Sequence, residues 1–585
     1  MKYNLTKEQT AIIQTEKKRV YVPAVAGSGK THTLSKRVSQ LLASGVSPDA
    51  ILVLSFSNRA VDVLRKRLGS KITIKTFHAF GKSLVKQRHG RSVKVATPTE
   101  IASCLKQAIA SERKIWKRVK QSTGIDLKDK TEQRSLLDFL SATQGFPSDA
   151  KRLVADSASR YTSYAPVLDE LREIRKTYRK CLKEAKRLDY AEMLRRGRMA
   201  IPKLDLPYTH LFVDECQDMS LAQMRLLSAA VEKIPNVMMF GDPRQSIFGF
   251  MGAQFHNVSD VTDRFHTMPL TKSFRLSHQT ALLADAILEG ETSIVGAHDG
   301  ERPTLTSCKS TVKQEDEIVA LVGKLMASGV SPDEIAILGR TKAQLRAIDQ
   351  ALLCSAGYAT QPRYEERLIE HTHRMLDLLL LLNRSYMRMR ELSKPDAEQR
   401  KQIEDKLAAF VDGGVPAKVL ADCRRRFMEA ARAPTFAGRY VAIKKIYLRL
   451  MRVANEDVKP IRIELGRWDA ISSQFNSVKK LRSTIRQLEE QTPVTLSTIH
   501  GAKGDEWDHV IIAGVTDGSI PFYREMARGE LDEERRLLYV AATRARQRLH
   551  LFHAPYHHAP SGQRFDEPSR FLTPAVRKLS VKRSR

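Results

Sequence analysis

The chain has 585 residues, of which 42% are hydrophobic and 28% charged, and its formal net charge is +32. One hydrophobic core does not serve a chain of this length, so we expect roughly three or four domains. The excess of 98 Lys and Arg over 66 Asp and Glu favours a polyanionic partner, nucleic acid before an anionic membrane surface, over a merely solvated surface.

Neither the apolar runs nor the N-terminus suggests a membrane or secretory segment. The longest conspicuous apolar run, Leu378 to Leu382, is far too short to span a bilayer. Residues 1–6 lack the apolar core of a signal peptide, so we expect none.

The cysteine pattern indicates a reducing compartment. No two cysteines form a C-x-x-C pair, so neither a disulfide framework nor a zinc or iron–sulfur site is suggested. We therefore expect a cytoplasmic protein, associated with the nucleoid if it is bacterial or phage-encoded. The six cysteines are Cys104, Cys181, Cys216, Cys308, Cys354 and Cys423.

A short predicted strand near the N-terminus leads into a glycine-rich loop. This loop reads Ala24-Val25-Ala26-Gly27-Ser28-Gly29-Lys30-Thr31. Its two glycines let backbone N–H groups surround a triphosphate, while Lys30 would reach the β- and γ-phosphates and the Thr31 hydroxyl would bind Mg²⁺. The helix beginning near Lys30 would direct its positive end at the same anion. Because Ala24 stands at the first glycine of the general pattern, the loop alone predicts only nucleoside triphosphate binding.

Polar residues on both sides of the loop are further candidates for nucleotide contacts. Thr6 is predicted to cap a helix that carries Gln9, whose amide both donates and accepts as the edge of adenine requires. A solvated surface position is the alternative for Gln9. Arg37 follows Lys30 by two helical turns, on a face suited to return toward the nucleotide.

Strands and helices alternate after the loop. Ile51–Phe56 is predicted as a buried parallel strand, residues 57–68 as an amphipathic helix and Ile72–Ile74 as a third strand. This alternation predicts a RecA-like α/β core with a parallel sheet. Function in such sheets lies at the carboxyl ends of the strands, where Phe56 and Thr76-Phe77-His78 fall.

Residues 96–200 are predicted to form a helical, basic insertion, after which the α/β pattern returns. The apolar strand at His210–Val213 ends in Asp214 and Glu215. Asp214 would hold Mg²⁺ directly or through water, and Glu215 would orient and deprotonate the attacking water. An acid-rich helix start is the alternative, but the preceding strand and the upstream loop disfavour it.

The next predicted strand, Val237–Phe240, leads into a polar loop. Gln245 is placed there to sense the γ-phosphate. Phe248 and Phe250 offer flat faces on which bases could stack, although aromatic residues near strand ends more often belong to the core.

A second α/β alternation begins near Ile335–Arg340. A helical and basic stretch from about residue 386 to 487 interrupts it, and the pattern resumes at Thr495–Trp507. Residues 533–546 are predicted to form a helix that carries arginines. The last ten residues, 576–585, are expected to form a disordered basic tail.

Six motifs in this order identify a family. They are AGSGKT, DECQD, GDPRQSIFGF, SFR, TIHGAKGDEW and EERRLLYVAATRAR. Through them the chain resembles superfamily 1 DNA helicases of the UvrD/Rep/PcrA type over nearly its whole length, from Gln9 to Leu572. The resemblance implies an α/β fold with two RecA-like, parallel-sheet P-loop NTPase domains, ATP in the cleft between them and a mainly helical insertion in each.

The implied domain boundaries follow the changes in sequence texture. They are 1–95 and 201–275 for the first RecA-like domain, 96–200 for its insertion, 276–385 and 488–575 for the second RecA-like domain, 386–487 for its shortened insertion and 576–585 for the tail.

The resemblance also implies roles for individual residues. Around the nucleotide these are Gln9 (adenine), Phe274 (stacking on adenine), Glu506 (ribose), Ala24–Thr31 including Lys30 (phosphates), Thr31 and Asp214 (Mg²⁺), Glu215 (catalytic base), Gln245 (γ-phosphate) and Arg37, Arg275 and Arg544 (arginines around the nucleotide). Facing the DNA are Phe56, Thr76, His78, Phe250 and His500. For His78 and His500, a hydrogen-bonded histidine that supports its own loop is the alternative.

The arginines have a physical rationale in phosphoryl transfer. Arg275 and Arg544 would stabilise charge on the γ-phosphoryl oxygens, an effect of about 10³–10⁵ in rate for the best arginine fingers. We expect both to lie away from the phosphate loop, so that they engage only when the cleft closes. Hydrolysis would thereby become domain motion.

Several positions depart from the family pattern. Cys216 replaces an aromatic residue, and Asp505 replaces an apolar residue beside Lys503-Gly504. Phe248, Phe250 and Met251 stand where Tyr, Trp and Arg are more usual, so we expect one DNA contact to be missing and base stacking to be weaker.

The sequence thus predicts an ATP- and Mg²⁺-dependent helicase that moves 3′→5′ on single-stranded DNA and unwinds duplex DNA. The expected partners are single-stranded DNA, junctions of single- and double-stranded DNA and a repair or replication protein, with the chain a monomer or weak dimer. Two alternatives remain: a translocase that strips proteins from DNA without appreciable unwinding, and a DNA-binding protein with a vestigial ATPase. Intact Lys30, Glu215 and Arg544 argue against the latter.

Overall fold

The structure is a computed structural model and forms two compact units. The first unit comprises Met1–Glu301, Pro521–Thr543 and Phe571–Leu579, and the second comprises Arg302–Ile520, Arg544–Arg570 and Ser580–Arg585. The described residues are 5–90, 94–143, 150–151, 154–155, 161–247, 249, 256–290, 294–364, 369–389, 397–411, 414–433, 435–529, 531–558 and 562–584.

Helices in the described residues are numbered in chain order. The first twelve are α1 (Lys7–Gln14), α2 (Lys30–Ala43), α3 (Asn58–Leu68), α4 (Phe77–His89), α5 (Pro98–Ser111), α6 (Arg113–Thr123), α7 (Lys130–Thr143), α8 (Leu168–Glu184), α9 (Tyr190–Ala200), α10 (Leu221–Lys233), α11 (His256–Thr262) and α12 (His278–Ile287). The others are α13 (Thr311–Ala327), α14 (Lys342–Ala351), α15 (Ile369–Met389), α16 (Ala397–Ala408), α17 (Ala417–Ala431), α18 (Phe436–Val453), α19 (Val458–Arg467), α20 (Asp469–Ser472), α21 (Val478–Glu490), α22 (Tyr523–Arg528), α23 (Leu531–Ala542) and α24 (Pro574–Leu579).

A parallel sheet forms the centre of the first unit. Its strands are β1 (Arg19–Pro23), β2 (Ile51–Ser55), β3 (Thr73–Thr76), β4 (His210–Val213), β5 (Asn236–Gly241) and β6 (His266–Thr267), in the order β3-β2-β4-β5-β1-β6. All five residues of β2 are buried, as expected for a parallel strand covered by helices on both faces. The predicted RecA-like parallel core is confirmed.

The first insertion is helical, as predicted, and has its own core. Helices α5 to α9 follow one another between residues 98 and 200. Leu105, Phe139, Tyr164 and Ile174 are among the buried side chains of a separate hydrophobic cluster within it. Burial of this apolar surface stabilises the insertion, and Leu194 and Ala200 of α9 pack in the core of the sheet as well.

Two cysteines in this insertion correct the expectation of reduced thiols. Cys104 on α5 and Cys181 on α8 form a disulfide, with their Cα atoms 5.6 Å apart. The pair is 77 residues apart in sequence and becomes adjacent because α5 packs along α8. Cys216, Cys308, Cys354 and Cys423 are free thiols.

The second unit is built on a parallel sheet of seven strands. These are β7 (Thr304–Ser307), β8 (Ile335–Gly339), β9 (Thr360–Pro362), β10 (Val494–Thr498), β11 (Trp507–Ile512), β12 (Ala545–His553) and, near the C-terminus, β15 (Val581–Ser584); β13 (Tyr556–His558) and β14 (Gln563–Phe565) form a separate hairpin. The sheet order is β15-β7-β12-β11-β8-β10-β9. The second predicted α/β alternation is therefore confirmed.

The disordered tail predicted for residues 576–585 is wrong for its described part. Residues 576–579 belong to α24, where Val576 is fully buried. β15 then pairs in parallel with β7, with Val581 opposite Thr304. Pairing satisfies the backbone of a strand whose basic side chains remain exposed, so the high positive charge of this segment does not prevent it from folding.

The second insertion is also helical and has its own core. Helices α15 to α21 enclose buried Phe427, Tyr440, Tyr447 and Trp468. Arg467 on α19 donates from Nε to Asp349 Oδ2 on α14 over 2.6 Å, and both side chains are buried. Because removing one partner of a buried pair costs about 3–5 kcal/mol, this contact ties the insertion firmly to the α/β part.

Three segments predicted for the second RecA-like domain cluster with the first unit instead. They are residues 276–301, 521–543 and 571–575, and residues 576–579, which were predicted as part of the tail, join the same unit. The physical reason is packing of α12 against α23 and α24. Arg535 Nη1 donates to the carbonyl of Ile287 over 3.1 Å, and its guanidinium lies 4.9 Å from the centre of the Phe571 ring.

The described residues lack two features that are typical of other classes of protein. None of their helices has the length and apolar character needed to cross a bilayer. They also contain no group of three or more His, Cys, Asp or Glu side chains arranged to hold a metal ion.

Candidate functional site

The phosphate loop lies at the carboxyl end of β1. The Ala24 N–H donates to the Gly241 carbonyl over 2.9 Å, and the Val25 N–H donates to the Leu270 carbonyl over 3.0 Å. Gly27 and Gly29 have φ angles of +73° and +78°. A Cβ at Gly27 would lie 2.5 Å from the Arg275 Cβ, so glycine is required there for space as well as for backbone conformation.

The start of α2 has the features of an anion site. Gly29 is its N-cap and supplies no side-chain hydrogen bond, so the N–H groups of the first turn are available to an anion. The Ser28 hydroxyl is buried and has no hydrogen-bond partner among the described residues. Since buried polar groups are normally hydrogen-bonded, these residues fit the phosphate chain of a nucleotide.

The acidic pair at the end of β4 lies beside this loop. Thr31 Oγ1 donates to Asp214 Oδ2 over 3.2 Å, and Lys30 Nζ is 3.9 Å from Glu215 Oε1. Burial raises the pKa of Asp214, and the nearby Glu215 carboxylate raises it further. A cation bound by Thr31 and Asp214 would relieve this cost, so the pair fits Mg²⁺.

Glu215 has an unusual backbone conformation. Its φ is +55°, in the left-handed region that non-glycine residues seldom adopt. Such a conformation costs about 1–3 kcal/mol and persists where the surroundings fix it. Here the Glu215 N–H donates to Asp214 Oδ1 over 3.1 Å, and Gln217 Nε2 donates to Glu215 Oε2 over 2.6 Å.

A chain of hydrogen bonds joins the acidic pair to Gln245. Gln217 Oε1 accepts from the Asp242 N–H over 3.0 Å, and Asp242 Oδ2 accepts from Gln245 Nε2 over 2.8 Å. Gln217 and Asp242 were missed as functional residues by sequence reasoning. The available signal was their place inside DECQD and GDPRQ, two of the motifs that identified the family.

Gln9 and Phe274 flank the phosphate loop. Gln9 is buried, and its Nε2 donates to the Ser28 carbonyl over 3.2 Å. The Phe274 N–H donates to the Gly27 carbonyl over 2.8 Å. The Lys272 ammonium lies 5.7 Å from the centre of the Phe274 ring. Both predicted adenine contacts thus meet at the loop.

Arg37 binds protein carbonyls at the end of α1. Its Nη1 donates to the Ile13 carbonyl and its Nη2 to the Thr15 carbonyl, each over 2.6 Å. Arg37 thereby fixes α1, the helix that carries Gln9. Its direct contact with a nucleotide stays a prediction.

The expectation that Arg275 lies away from the phosphate loop is wrong. Its Cβ packs against Gly27, because the preceding residue pairs with the loop backbone. Its Nη1 donates to the Thr543 carbonyl over 3.1 Å, within the same unit. Arg275 therefore needs no domain closure to reach the loop that it contacts.

Arg544 and Glu506 belong to the second unit. Arg544 is fully buried, and its Nη1 donates to the Asp505 carbonyl over 3.2 Å. The Trp507 N–H donates to the Arg544 carbonyl over 3.0 Å at the start of β11. Glu506 Oε1 is 3.9 Å from Arg546 Nη1. The roles of both residues toward ATP stay predictions.

Three predicted DNA contacts lie at the carboxyl ends of β2 and β3. Phe56 follows β2, and Thr76 Oγ1 accepts from the Ala79 N–H over 3.2 Å as the cap of α4. Burial lowers the pKa of His78, whose ring meets the Tyr190 ring edge-on with centres 4.8 Å apart. Tyr190, at the start of α9, is 52% exposed. Sequence reasoning did not single it out, because His78, the residue that it contacts, lies over a hundred residues away in the chain.

The remaining predicted DNA contacts are His500 and Phe250. His500 follows β10, and burial, with Arg340 and Lys503 nearby, lowers its pKa to about 3. The imidazole is therefore neutral near pH 7. Phe250, together with Phe248 and Met251, lies outside the described residues.

Comparisons with known proteins agree with this geometry. Residues 5–266 match the family of the UvrD/REP helicase N-terminal domain, and residues 454–555 match that of the UvrD-like helicase C-terminal domain.

Similar proteins extend over almost the whole chain. The chain is 27% identical to "ATP-dependent DNA helicase UvrD2" of Mycobacterium tuberculosis (strain ATCC 25618 / H37Rv), a match that covers 97% of this chain and 81% of that protein. It is 23% identical to "ATP-dependent DNA helicase PcrA" of Leuconostoc citreum, covering 97% and 84%. It is 24% identical to "DNA helicase II" of Escherichia coli (strain K12), covering 97% and 87%. With the phosphate loop, the acidic pair and two parallel sheets in place, the chain belongs to the superfamily 1 helicases of the UvrD/Rep/PcrA type.

Proposed function

We propose that this ATP-dependent DNA helicase hydrolyses ATP at the phosphate loop of the first unit, moves 3′→5′ along single-stranded DNA and unwinds the duplex ahead of it. One observation carries the proposal. Hydrogen bonds run continuously from Thr31 and Asp214 through Glu215, Gln217 and Asp242 to Gln245, and this continuity supports the site as the hydrolytic centre. A vestigial ATPase would have no reason to retain the strained backbone of Glu215.

The phosphate loop residues bind and orient ATP. Backbone N–H groups of Gly27–Lys30 and the Lys30 ammonium hold the phosphates, and Thr31 with Asp214 holds Mg²⁺. When bound, Mg²⁺ would neutralise part of the negative charge of the phosphate groups. Gln9 and Phe274 hold the adenine from the side of α1.

Glu215 is the general base in this proposal. Its carboxylate accepts the proton of the attacking water while Gln217 Nε2 holds the other oxygen in place. Gln245 orients its amide toward the γ-phosphate through its bond to Asp242. Arg275, which packs on Gly27, stabilises the charge that develops on the γ-phosphoryl oxygens, and the same role for Arg544 rests on the family resemblance.

The DNA path is proposed along the carboxyl ends of β2 and β3. Phe56 and the exposed Tyr190 beside His78 supply flat faces that bind bases without regard to sequence, as a translocase requires. The net charge of +32 supplies the phosphate contacts. The 3′→5′ direction rests on the family resemblance.

Stripping proteins from DNA is a second proposed function. It is favoured by Met251, which stands where the family more often has an arginine that contacts DNA, and by the shortened second insertion. A motor with weaker contacts at the junction would move along a single strand and open duplex DNA poorly.

Strand displacement on partial duplexes separates these functions. Duplexes with a 3′ or a 5′ single-stranded tail, with and without a streptavidin block on the tail, are incubated with Mg²⁺ and either ATP or no nucleotide. Helicase action predicts ATP-dependent displacement from the 3′-tailed substrate alone. Streptavidin removal without strand displacement would support the stripping motor, and displacement from the 5′-tailed substrate would overturn the proposed direction.

A further inference from the structure

One helix of the first unit holds the loop that contains Gln245. The described part of this loop is residues 242–247 and 249. It begins directly after β5, and Gly249 stands between Phe248 and Phe250 in the sequence. Helix α23 lies along it. The contacts come from Glu533, Arg536 and Tyr539, which are spaced three residues apart and so share one face of the helix.

The first two contacts hold the nucleotide end and the middle of the loop. The Tyr539 hydroxyl lies 3.5 Å from Asp242 Oδ2, the same oxygen that accepts from Gln245. Arg536 Nε donates to the Ser246 carbonyl over 2.9 Å. Tyr539 thus contacts the aspartate that binds Gln245, and Arg536 contacts the backbone of the residue that follows Gln245.

The third contact holds the far end of the loop. The backbone N–H of Gly249 donates to the Glu533 carboxylate. A Cβ on residue 249 would collide with Oε2 of Glu533, so only glycine allows this approach. The carboxylate therefore holds the backbone of Gly249, which stands in the sequence between the two phenylalanines for which base stacking is expected.

The other charged groups around Glu533 do not explain its place. Burial and the neighbouring Glu534 and Glu525 raise the pKa of Glu533, while Arg536 and the Gly249 N–H lower it. Acidic residues in a first helical turn are favoured by the helix dipole, and Asp532 and Glu534 share that turn. Asp532 is exposed and serves the dipole equally well, whereas Glu533 is turned toward Gly249.

We propose that Glu533 is a positioning residue that sets the Gly249 loop against DNA and so couples ATP hydrolysis to strand movement. The inference rests on the proposed function and adds a specific link to it. One rigid helix holds both Asp242, beside the hydrolytic network, and Gly249, beside the stacking residues. A change at the nucleotide end is thereby transmitted to the DNA end.

Four variants test this link: Glu533→Ala, Glu533→Gln, Asp532→Ala and Gly249→Ala. ATP turnover stimulated by single-stranded DNA and strand displacement are measured on the same preparations, giving base pairs opened per ATP. Glu533→Ala should keep turnover close to wild type while base pairs opened per ATP fall several-fold. Glu533→Gln should restore the ratio, because its amide oxygen still accepts from Gly249, and Asp532→Ala should leave it unchanged.

Gly249→Ala provides an independent test of the same contact. It should lower base pairs opened per ATP as Glu533→Ala does, and the double variant should be no worse than either single one. Equal losses of turnover and unwinding in Glu533→Ala, or an unchanged ratio, would overturn the inference while leaving the proposed function intact. Absence of any ATP-dependent unwinding by the wild-type protein would overturn both.

Discussion

Two segments of the chain, residues 43–58 and 327–342, share sequence and structure but not chemistry. The run Ala43-Ser44-Gly45-Val46-Ser47-Pro48-Asp49 recurs as Ala327–Asp333. In each unit a helix ends at the alanine, the glycine has a φ of +90° and the proline opens a 3₁₀ turn. A fully buried strand of five residues follows, β2 in one unit and β8 in the other.

The two units differ in the connection that precedes the helix leading into each of these segments. In the first unit the chain passes from β1 through Ala24–Gly29 into α2, whose N-cap has no side-chain hydrogen bond. In the second it passes from β7 through Cys308–Ser310 into α13, where Ser310 accepts from the Lys313 N–H over 3.1 Å. The same local sequence specifies the same α/β unit twice, but only the glycine-rich version leaves helix N–H groups for an anion.

The largest effect expected from this comparison is on ATP turnover. Lys30→Ala should lower turnover by about 10²–10³ or more, the cost of removing a group that stabilises transition-state charge. Lys309→Ala changes an exposed lysine in the connection that precedes α13 in the second unit and should leave turnover unchanged. Phosphate release in the presence of single-stranded DNA measures both; equal losses would show that the second unit also binds phosphate through this connection.

Acid should act on the second unit through a buried histidine. Burial, with His509, Arg548 and Arg583 nearby, lowers the pKa of His550 on β12 to about 3. Between pH 6.5 and 3, His550 therefore binds a proton in the unfolded chain but stays neutral in the folded chain. The free energy of unfolding should fall with decreasing pH by up to about 1.4 kcal/mol per pH unit from this residue.

Replacement of His550 by glutamine tests this dependence. Urea unfolding of the wild type and of His550→Gln is followed from pH 8 to pH 4. At pH 8 both side chains are neutral, so the difference there measures only packing and the lost contact with Thr304 Oγ1, which is 2.9 Å from His550 Nδ1. Below pH 6.5 the variant should lose stability less steeply; parallel curves would contradict the assignment.

The smallest effect concerns the two matched glycines. Gly45 and Gly329 have the same φ, and a Cβ added at either meets nothing within 4 Å. Alanine should therefore cost about 1 kcal/mol at each site, from backbone conformation alone. Thermal unfolding of the two single variants measures this. A large difference between them would mean that the shared sequence does not have the same role in both units.

Local patterns predicted most of the fold and the centre of the site. Each of the strands β1, β2 and β4 and the loop Ala24–Thr31 is a short continuous run of sequence. The apolar residues of the strands and the glycines of the loop therefore predict these elements locally. The contact of Thr31 with Asp214 followed because the phosphate loop comes after β1 and Asp214 comes after β4, two parallel strands of one sheet.

What the sequence did not predict depends on contacts between distant residues. Cys104 meets Cys181 only because two helices pack side by side, and Tyr190 meets His78 in the same way. Arg275 was expected across a cleft, whereas its neighbour's hydrogen bond to Gly27 holds it on the loop. Composition alone also did not show that a basic C-terminus pairs with β7.

The role of Glu215 decides most directly whether the edge of the first sheet is the hydrolytic centre of a DNA motor. Glu215→Gln keeps the shape of the side chain but removes the base. We expect ATP binding, measured by equilibrium titration, to stay close to wild type, and hydrolysis stimulated by single-stranded DNA to fall by about 10² or more. Turnover close to that of the wild type would contradict the assignment of the base and of the hydrolytic network built around it.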